Sequence, residues 1–422
     1  MRHESGAARA LPWAALALAW TAYLPTGLQY LALGACSGLA LHMLWRQQRL
    51  GTVAGHPVFR AALALWVWLA LSAAWSPAPA SAIVSHLWMY ALPLLVLPIA
   101  FALEAAAALR ALGHFVAASA LVGSFVLLDA AGWLPTPPAW RPFVDVLGNQ
   151  RIAFSLLLAL AGALALQLAI DARRGRAQAL RLGAALLCLA ALTQQDRRTG
   201  LLLAPLLLAV LVLAQPRWRG RRLRRLALVA LATLAVGLGS SQVRERLAEG
   251  VAELQAYRSS GPVDTSWGMR ARMVEVTAGL VLERPVIGHG VGSWVTLWHA
   301  RVRGEPILTG HTTPHNEYLL LAQQGGVVAL LLALLLWLQA LRGVRRRGAA
   351  ALPALLVLVA IAWAAGFNVV LRDAKFALML LGLAMLAWSA ARTPACAGLV
   401  PTRESAPRAS DGEAVAPADM IR

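Results

Sequence analysis

Charge is scarce in this chain. Only 14% of its 422 residues are Asp, Glu, Lys or Arg, against 59% that are hydrophobic, and the mean hydropathy is +0.64. Soluble domains carry roughly 25% charged residues, so a soluble globular enzyme is excluded. Cysteine is scarce too. Cys36 and Cys188 fall in apolar runs and Cys396 in the C-terminal tail, which excludes a disulfide framework. No repeat with a period of roughly 20–50 residues is present, so a solenoid is excluded. A removable leader is not expected. Leu33-Gly34-Ala35-Cys36 superficially resembles a lipoprotein cleavage box, but it follows a break at Pro25-Thr26-Gly27 and the apolar sequence continues past it, as a second span would.

Acidic residues are half as numerous as basic ones, 19 against 38, for a net charge of +19. The basic residues are almost all arginine and sit in short loops between apolar runs. That pattern suits topology and anionic lipid headgroups. No basic stripe with interleaved aromatics occurs, so nucleic-acid binding is not expected.

What the chain has in abundance is apolar runs of bilayer-spanning length, roughly 17–25 residues each. About twelve are expected, near 11–24, 28–45, 58–75, 82–102, 108–130, 151–170, 178–193, 199–214, 225–241, 319–341, 350–370 and 374–391. The first, seventh and eighth are short. With a cytoplasmic N-terminus, the loops at 46–60, 171–181, 215–225 and 342–347 all lie inside, and these carry the arginine clusters, whereas the opposite loop at 76–81 has no positive charge. The positive-inside rule and an even number of spans agree. The reading is an all-α polytopic membrane protein. Residues 1–241 form the first nine spans, 242–318 a long periplasmic loop domain, 319–392 the last three spans, and 393–422 a disordered cytoplasmic tail.

Loops of that length are usually functional. Val243, Leu247, Val251 and Leu254 recur at helical spacing opposite Arg244, Glu245, Glu249 and Glu253, which predicts an amphipathic helix on the bundle or the membrane surface. A second helix is expected from about Gly268 to Glu283, ended by Arg284-Pro285. Gly288-His289-Gly290-Val291-Gly292 then lacks the strand and spacing of a dinucleotide fingerprint and reads as a tight turn.

Three sets of residues go against the membrane pattern. Asp196-Arg197-Arg198-Thr199 faces the periplasm, where arginine opposes the topological bias. A guanidinium fork at a helix N-terminus suits phosphate oxygens; the alternative is a headgroup-snorkelling pair or a partner for Asp196. Arg270 and Arg272 lie on the second loop helix and are either solvated or functional. His311-Thr312-Thr313-Pro314-His315-Asn316-Glu317-Tyr318 precedes the tenth span. Pro314 suits the first helical position with Thr313 as N-cap. His315 would then lie in the first turn, where the helix dipole keeps it neutral and able to accept a proton. A metal site from His311, His315 and Glu317 competes with that reading, but lacks further ligands and the His-Glu-x-x-His spacing. The surface placement and the cationic groups suit a substrate with a lipid tail, a phosphate linker and a polar head. A transporter of such a lipid would instead place polar residues midway through several spans, and these spans are mostly Leu, Ala and Val.

Taken in order, these pieces resemble the O-antigen ligase family, within the wider ligase and polymerase superfamily. Arg197-Arg198-Thr199-Gly200 is similar to the family's arginine at a periplasmic helix start. Arg270, Pro285, Gly288 and Gly290 are similar to its Arg…Pro-x-x-Gly-x-Gly segment. His315-Asn316-Glu317-Tyr318-Leu319, with Gly325-Gly326 beyond, is similar to its His-Asn element. The family often has Trp four residues after the loop arginine, where this chain has Val274.

The resemblance implies a glycosyltransferase of the Gram-negative inner membrane with its site facing the periplasm. It implies His315 as the base, with Arg198 and Arg270 binding the pyrophosphate of an undecaprenyl-pyrophosphate-linked glycan, supported by Arg197 and His311. A lipid A-core sugar would be the acceptor, and no metal or other cofactor is expected. O-antigen polymerases and protein O-oligosaccharyltransferases share the donor and differ in the acceptor.

Overall fold

The computed structural model describes residues 6–134, 151–194, 198–239, 241–260 and 265–392. The chain is an all-helical polytopic membrane protein. In order, the helices are α1 (Gly6–Trp20), α2 (Thr26–Arg46), α3 (Leu50–Ala54), α4 (Pro57–Leu71), α5 (Ala80–Ala102), α6 (Ala105–Ala130), α7 (Arg151–Asp171), α8 (Arg176–Thr193), α9 (Arg198–Ala214), α10 (Arg222–Gly239), α11 (Ser241–Ser260), α12 (Ser266–Glu283), α13 (Trp294–Arg301), α14 (Glu317–Arg345), α15 (Leu352–Ala365) and α16 (Ala374–Ala390).

Each expected span is a helix, but the count of twelve spans is not reached. Among the described residues, eight helices are long and apolar enough to cross a bilayer, or up to nine if a bent pair counts as one span. That pair joins α9 to the segment Pro216–Gly239 at an angle of 104°, where two separate spans were expected. Helices α1 and α16 are the other shortfalls, at 15 and 17 residues. Fifteen residues rise only about 22 Å, short of a hydrocarbon core of about 30 Å.

The bundle is organised around α7, which is largely enclosed by its neighbours α6, α8, α9 and α15. Small residues permit the close approach: a Cβ on Gly200 of α9 would meet the backbone of Ser155 at 2.4 Å. Helix α10 has no buried residue and presents Leu223, Leu228, Leu231, Leu234 and Leu238 outward, a surface suited to lipid.

The arginine-bearing loops collect at one end. Arg347 stacks on Trp388, and His56 packs against Phe101 and Trp388. Arg392 donates to the carbonyls of Phe101 and Leu103. Arg217 pairs with Asp171, and Arg181 donates to Leu168 O. Helices α12 and α13 and the glycine-rich turn, with the 366–373 turn, pack at the opposite end.

The long-loop helices α12 and α13 are held there by a small separate core. Trp294 and Trp298 stack with centroids 4.9 Å apart, buried with Met273, Leu308, Leu320 and Val369. Both indoles are satisfied, by Thr277 Oγ1 and Leu308 O, each at 3.0 Å, as buried Trp requires. Helix α12 runs where the sequence placed it. Helix α11 also forms; it packs on α12 through Tyr257 and Glu253, and Val251 on its expected apolar face is exposed.

Candidate active site

Helix α14 is broken. Gly326 has φ +65° inside it, a conformation only glycine adopts cheaply, and at the break the carbonyls of Gln323 and Gln324 accept from outside the helix. The glycine-rich turn fills the gap. His289 N and Gly290 N donate to those two carbonyls, each at 2.8 Å, and Val327 N donates to Pro285 O at 2.8 Å. Gly288, Gly290 and Gly292 all have positive φ, as a tight turn demands. A Cβ on Gly326 would lie 2.0 Å from Val286 O. The two glycine elements of the motif are thus the two halves of one joint.

The helix that follows His315 starts later than Pro314 and Thr313 suggest. Asn316 is the N-cap, its side chain accepting from Leu319 N at 3.0 Å, and Glu317 is the first helical residue. Asn caps at least as well as Thr, and this register puts an acidic residue in the first turn, where the dipole favours it. His315 therefore lies outside the helix, in the left-handed region at φ +50°. Non-glycine residues are uncommon there, and such strain persists only where the surroundings hold it.

His311 and His315 stand edge to face, with ring centroids 6.1 Å apart. His311 Nε2 lies 3.3 Å from Met269 Sδ, beside Arg270 on α12. Burial and the nearby basic groups Arg270, His311 and Lys375 push the His315 pKa down to about 4. The ring is therefore neutral at neutral pH. The cause is burial and three basic neighbours on separate elements, rather than a place in the first helical turn.

The structure separates the two loop arginines. Arg272 is engaged by Glu305, through Nε at 3.2 Å and Nη2 at 2.6 Å, and lies 3.3 Å from Glu275. It ties α12 to the segment after α13, while Arg270 sits by the histidines. The start of α9 reaches the same end of the bundle, because Trp363 Nε1 donates to Thr199 O at 3.1 Å and Asn316 Nδ2 donates to Gly366 O at 3.0 Å. The helix begins at Arg198; Arg197 and the Arg198 side chain lie outside the described residues.

Glu317 does not face the histidines. It is 1% exposed, and its carboxylate accepts from Tyr90 Oη at 2.9 Å and Leu371 N at 2.8 Å. Among the described residues no group of three or more His, Cys, Asp or Glu is placed to hold a metal. Beside Glu317, Arg372 Nε donates to His86 Nε2 at 3.1 Å. That bond leaves the proton of a neutral ring on Nδ1, which donates to Gln324 Oε1 at 3.1 Å. Gln324 Oε1 also accepts from Gly292 N at 2.8 Å. This buried polar cluster was not anticipated. Its signal was His86 and Tyr90 one helical turn apart in an apolar span, with Gln323-Gln324 in another, since polar side chains in spans mark function or pairing.

Along the membrane-facing side, an apolar groove of about 430 Å³ runs from Tyr318 down between α14 and α15, past Trp337 to Leu341 and Leu355.

Residues 182–334 match the family model Wzy_C, described as O-antigen ligase. This segment runs from α8 into α14 and contains Arg198, Arg270, His311 and His315. None of the curated proteins matches the chain.

Proposed function

We propose that the protein is a membrane glycosyltransferase of the O-antigen ligase type, which moves a glycan from undecaprenyl pyrophosphate to a sugar hydroxyl of lipid A-core. The observation that carries this reading is the convergence of neutral His315 with Arg270 and His311 at one end of the bundle, within the segment similar to the O-antigen ligase family. The short arginine-rich loops lie at the other end, and the positive-inside rule, which counts short loops, supports a periplasmic site.

In this reading His315 takes the proton from the acceptor hydroxyl as its oxygen attacks the anomeric carbon. The bond between that carbon and the phosphate oxygen breaks, and the pyrophosphate leaves with the electron pair, inverting the configuration. Arg198 and Arg270, with Arg197 and His311 in support, bind the pyrophosphate and stabilise the departing charge. The groove between α14 and α15 opens beside Tyr318 and would take the polyprenyl tail, so lipid, phosphate and sugar meet their own kinds of surface.

The test is to reconstitute the purified protein with labelled lipid-linked donor and offer three acceptors separately: lipid A-core, a second lipid-linked glycan, and a peptide. Transfer to lipid A-core is expected. Transfer only to lipid-linked glycan would make it a polymerase, transfer only to peptide a protein O-oligosaccharyltransferase, and either outcome overturns the ligase assignment.

A further inference from the structure

Lys375 is the one lysine in the chain; every other basic residue, histidine aside, is arginine. It is the second residue of α16, at the end of the bundle that holds His315. Its side chain is about one-third exposed, with Nζ 3.2 Å from Asp373 Oδ2 and 5.5 Å from the Phe376 ring.

The turn that delivers Lys375 is fastened to the residues directly after His315. Asn316 Nδ2 donates to Gly366 O at 3.0 Å, Tyr318 Oη to Ala362 O at 3.0 Å, and Leu371 N to Glu317 Oε2 at 2.8 Å. The first two hold the beginning of the turn. The third holds its end, four residues before Lys375. Desolvating a carboxylate costs several kcal/mol unless it is paired and hydrogen-bonded. Glu317 offsets part of that cost through the hydrogen bonds from Tyr90 and the Leu371 amide, with Arg372 beside it. Arg372 is itself pinned to His86, so the turn is anchored on α5 as well as on α14.

We propose that Lys375 is a further phosphate-binding cation of the site, and that Glu317 is the positioning residue that fixes its turn at the end of the bundle where His315 lies. The inference rests on the pyrophosphate donor proposed above. It gives the donor a compact ammonium with three donors of its own, from a different element than the arginine forks on α9 and α12. Asp373 is its partner before the donor arrives. The electrostatic influence of Lys375 on His315 agrees with this placement.

The experiment measures binding of undecaprenyl pyrophosphate without glycan to the full chain in detergent, together with kcat and KM for transfer. Lys375→Met is expected to weaken binding about tenfold, the worth of one charge-assisted hydrogen bond. Glu317→Ala should weaken it by a similar factor. Glu317→Gln can still accept from Leu371 N and donate to Tyr90 Oη, and should restore binding to within about threefold. The double variant Lys375→Met, Glu317→Ala should bind no worse than either single variant, because both act through one group. Lys375→Met with wild-type affinity overturns the proposal, whether or not Glu317→Ala folds. A folded Glu317→Ala with wild-type donor KM overturns the positioning role. If the wild-type chain itself fails to bind lipid pyrophosphate, the donor reading falls and takes this inference with it, an outcome distinct from the other two.

Discussion

The His311 ring stands edge-on to that of His315, at 6.1 Å between centroids and 78° between planes, yet only one of the two residues has a backbone bent into the left-handed region. His315→Asn keeps a residue type that tolerates that conformation and removes the base. Transfer should fall by about 10²–10⁴-fold with the thermal midpoint in detergent unchanged. His311→Ala should cost less than about tenfold, the worth of one hydrogen bond. Turnover retained in folded His315→Asn would remove it from the base role.

The pH dependence follows from the same surroundings. Because the His315 pKa is lowered to about 4, the free enzyme holds the proton-accepting form at every pH above roughly 5. The profile of kcat/KM should be level from there through neutrality and fall only on further acidification. Bound pyrophosphate would offset the charges of Arg270 and Lys375, so the acid limb of kcat should move upward, toward the ordinary histidine range. A kcat/KM limb already falling near pH 6.5 would contradict this.

Arg270 and Arg272 should separate cleanly. Arg270→Ala is expected to raise the donor KM at least about tenfold. Arg272→Lys loses the fork that engages Glu305 and should cost about 1 kcal/mol of stability, with the donor KM unchanged. Melting curves alongside donor titrations decide it; the reverse pattern would exchange their roles.

At the start of α9, Arg198→Ala should weaken donor binding more than Arg198→Lys, since a lysine keeps the charge and loses only the planar fork. Donor titration of both variants checks this. Wild-type binding by both would make Arg198 a topology or headgroup residue.

The joint between the glycine turn and α14 should be intolerant of any side chain. Gly326→Ala adds a Cβ 2.0 Å from Val286 O at φ +65°, and should cost about 2–5 kcal/mol from left-handed strain and overpacking. Gly34→Ala, with nothing within 4 Å of its added Cβ, is the control. Equal melting temperatures for the two variants would contradict the joint.

Composition and arginine spacing were enough to specify an all-helical membrane protein, though not its number of spans, because hydropathy and charge are read over one stretch of chain at a time. The glycine-rich turn was legible for the same reason. Local signals misplaced the start of α14 by three residues, since Thr313, Pro314 and Asn316 all carry cap preferences and packing chose among them. Local periodicity could not tell Arg270 from Arg272; the structure does, since Glu305 and Glu275 engage Arg272 while Arg270 lies by the histidines. Nor could local signals show that Glu317 turns inward to Tyr90, 227 positions away in the chain, or that it holds the turn leading to the only lysine. Helix length and apolarity are properties of segments, and the sequence determined them. The polar cluster around Glu317 and the basic neighbours of His315 come from several different elements, and only the tertiary structure brings them into one place.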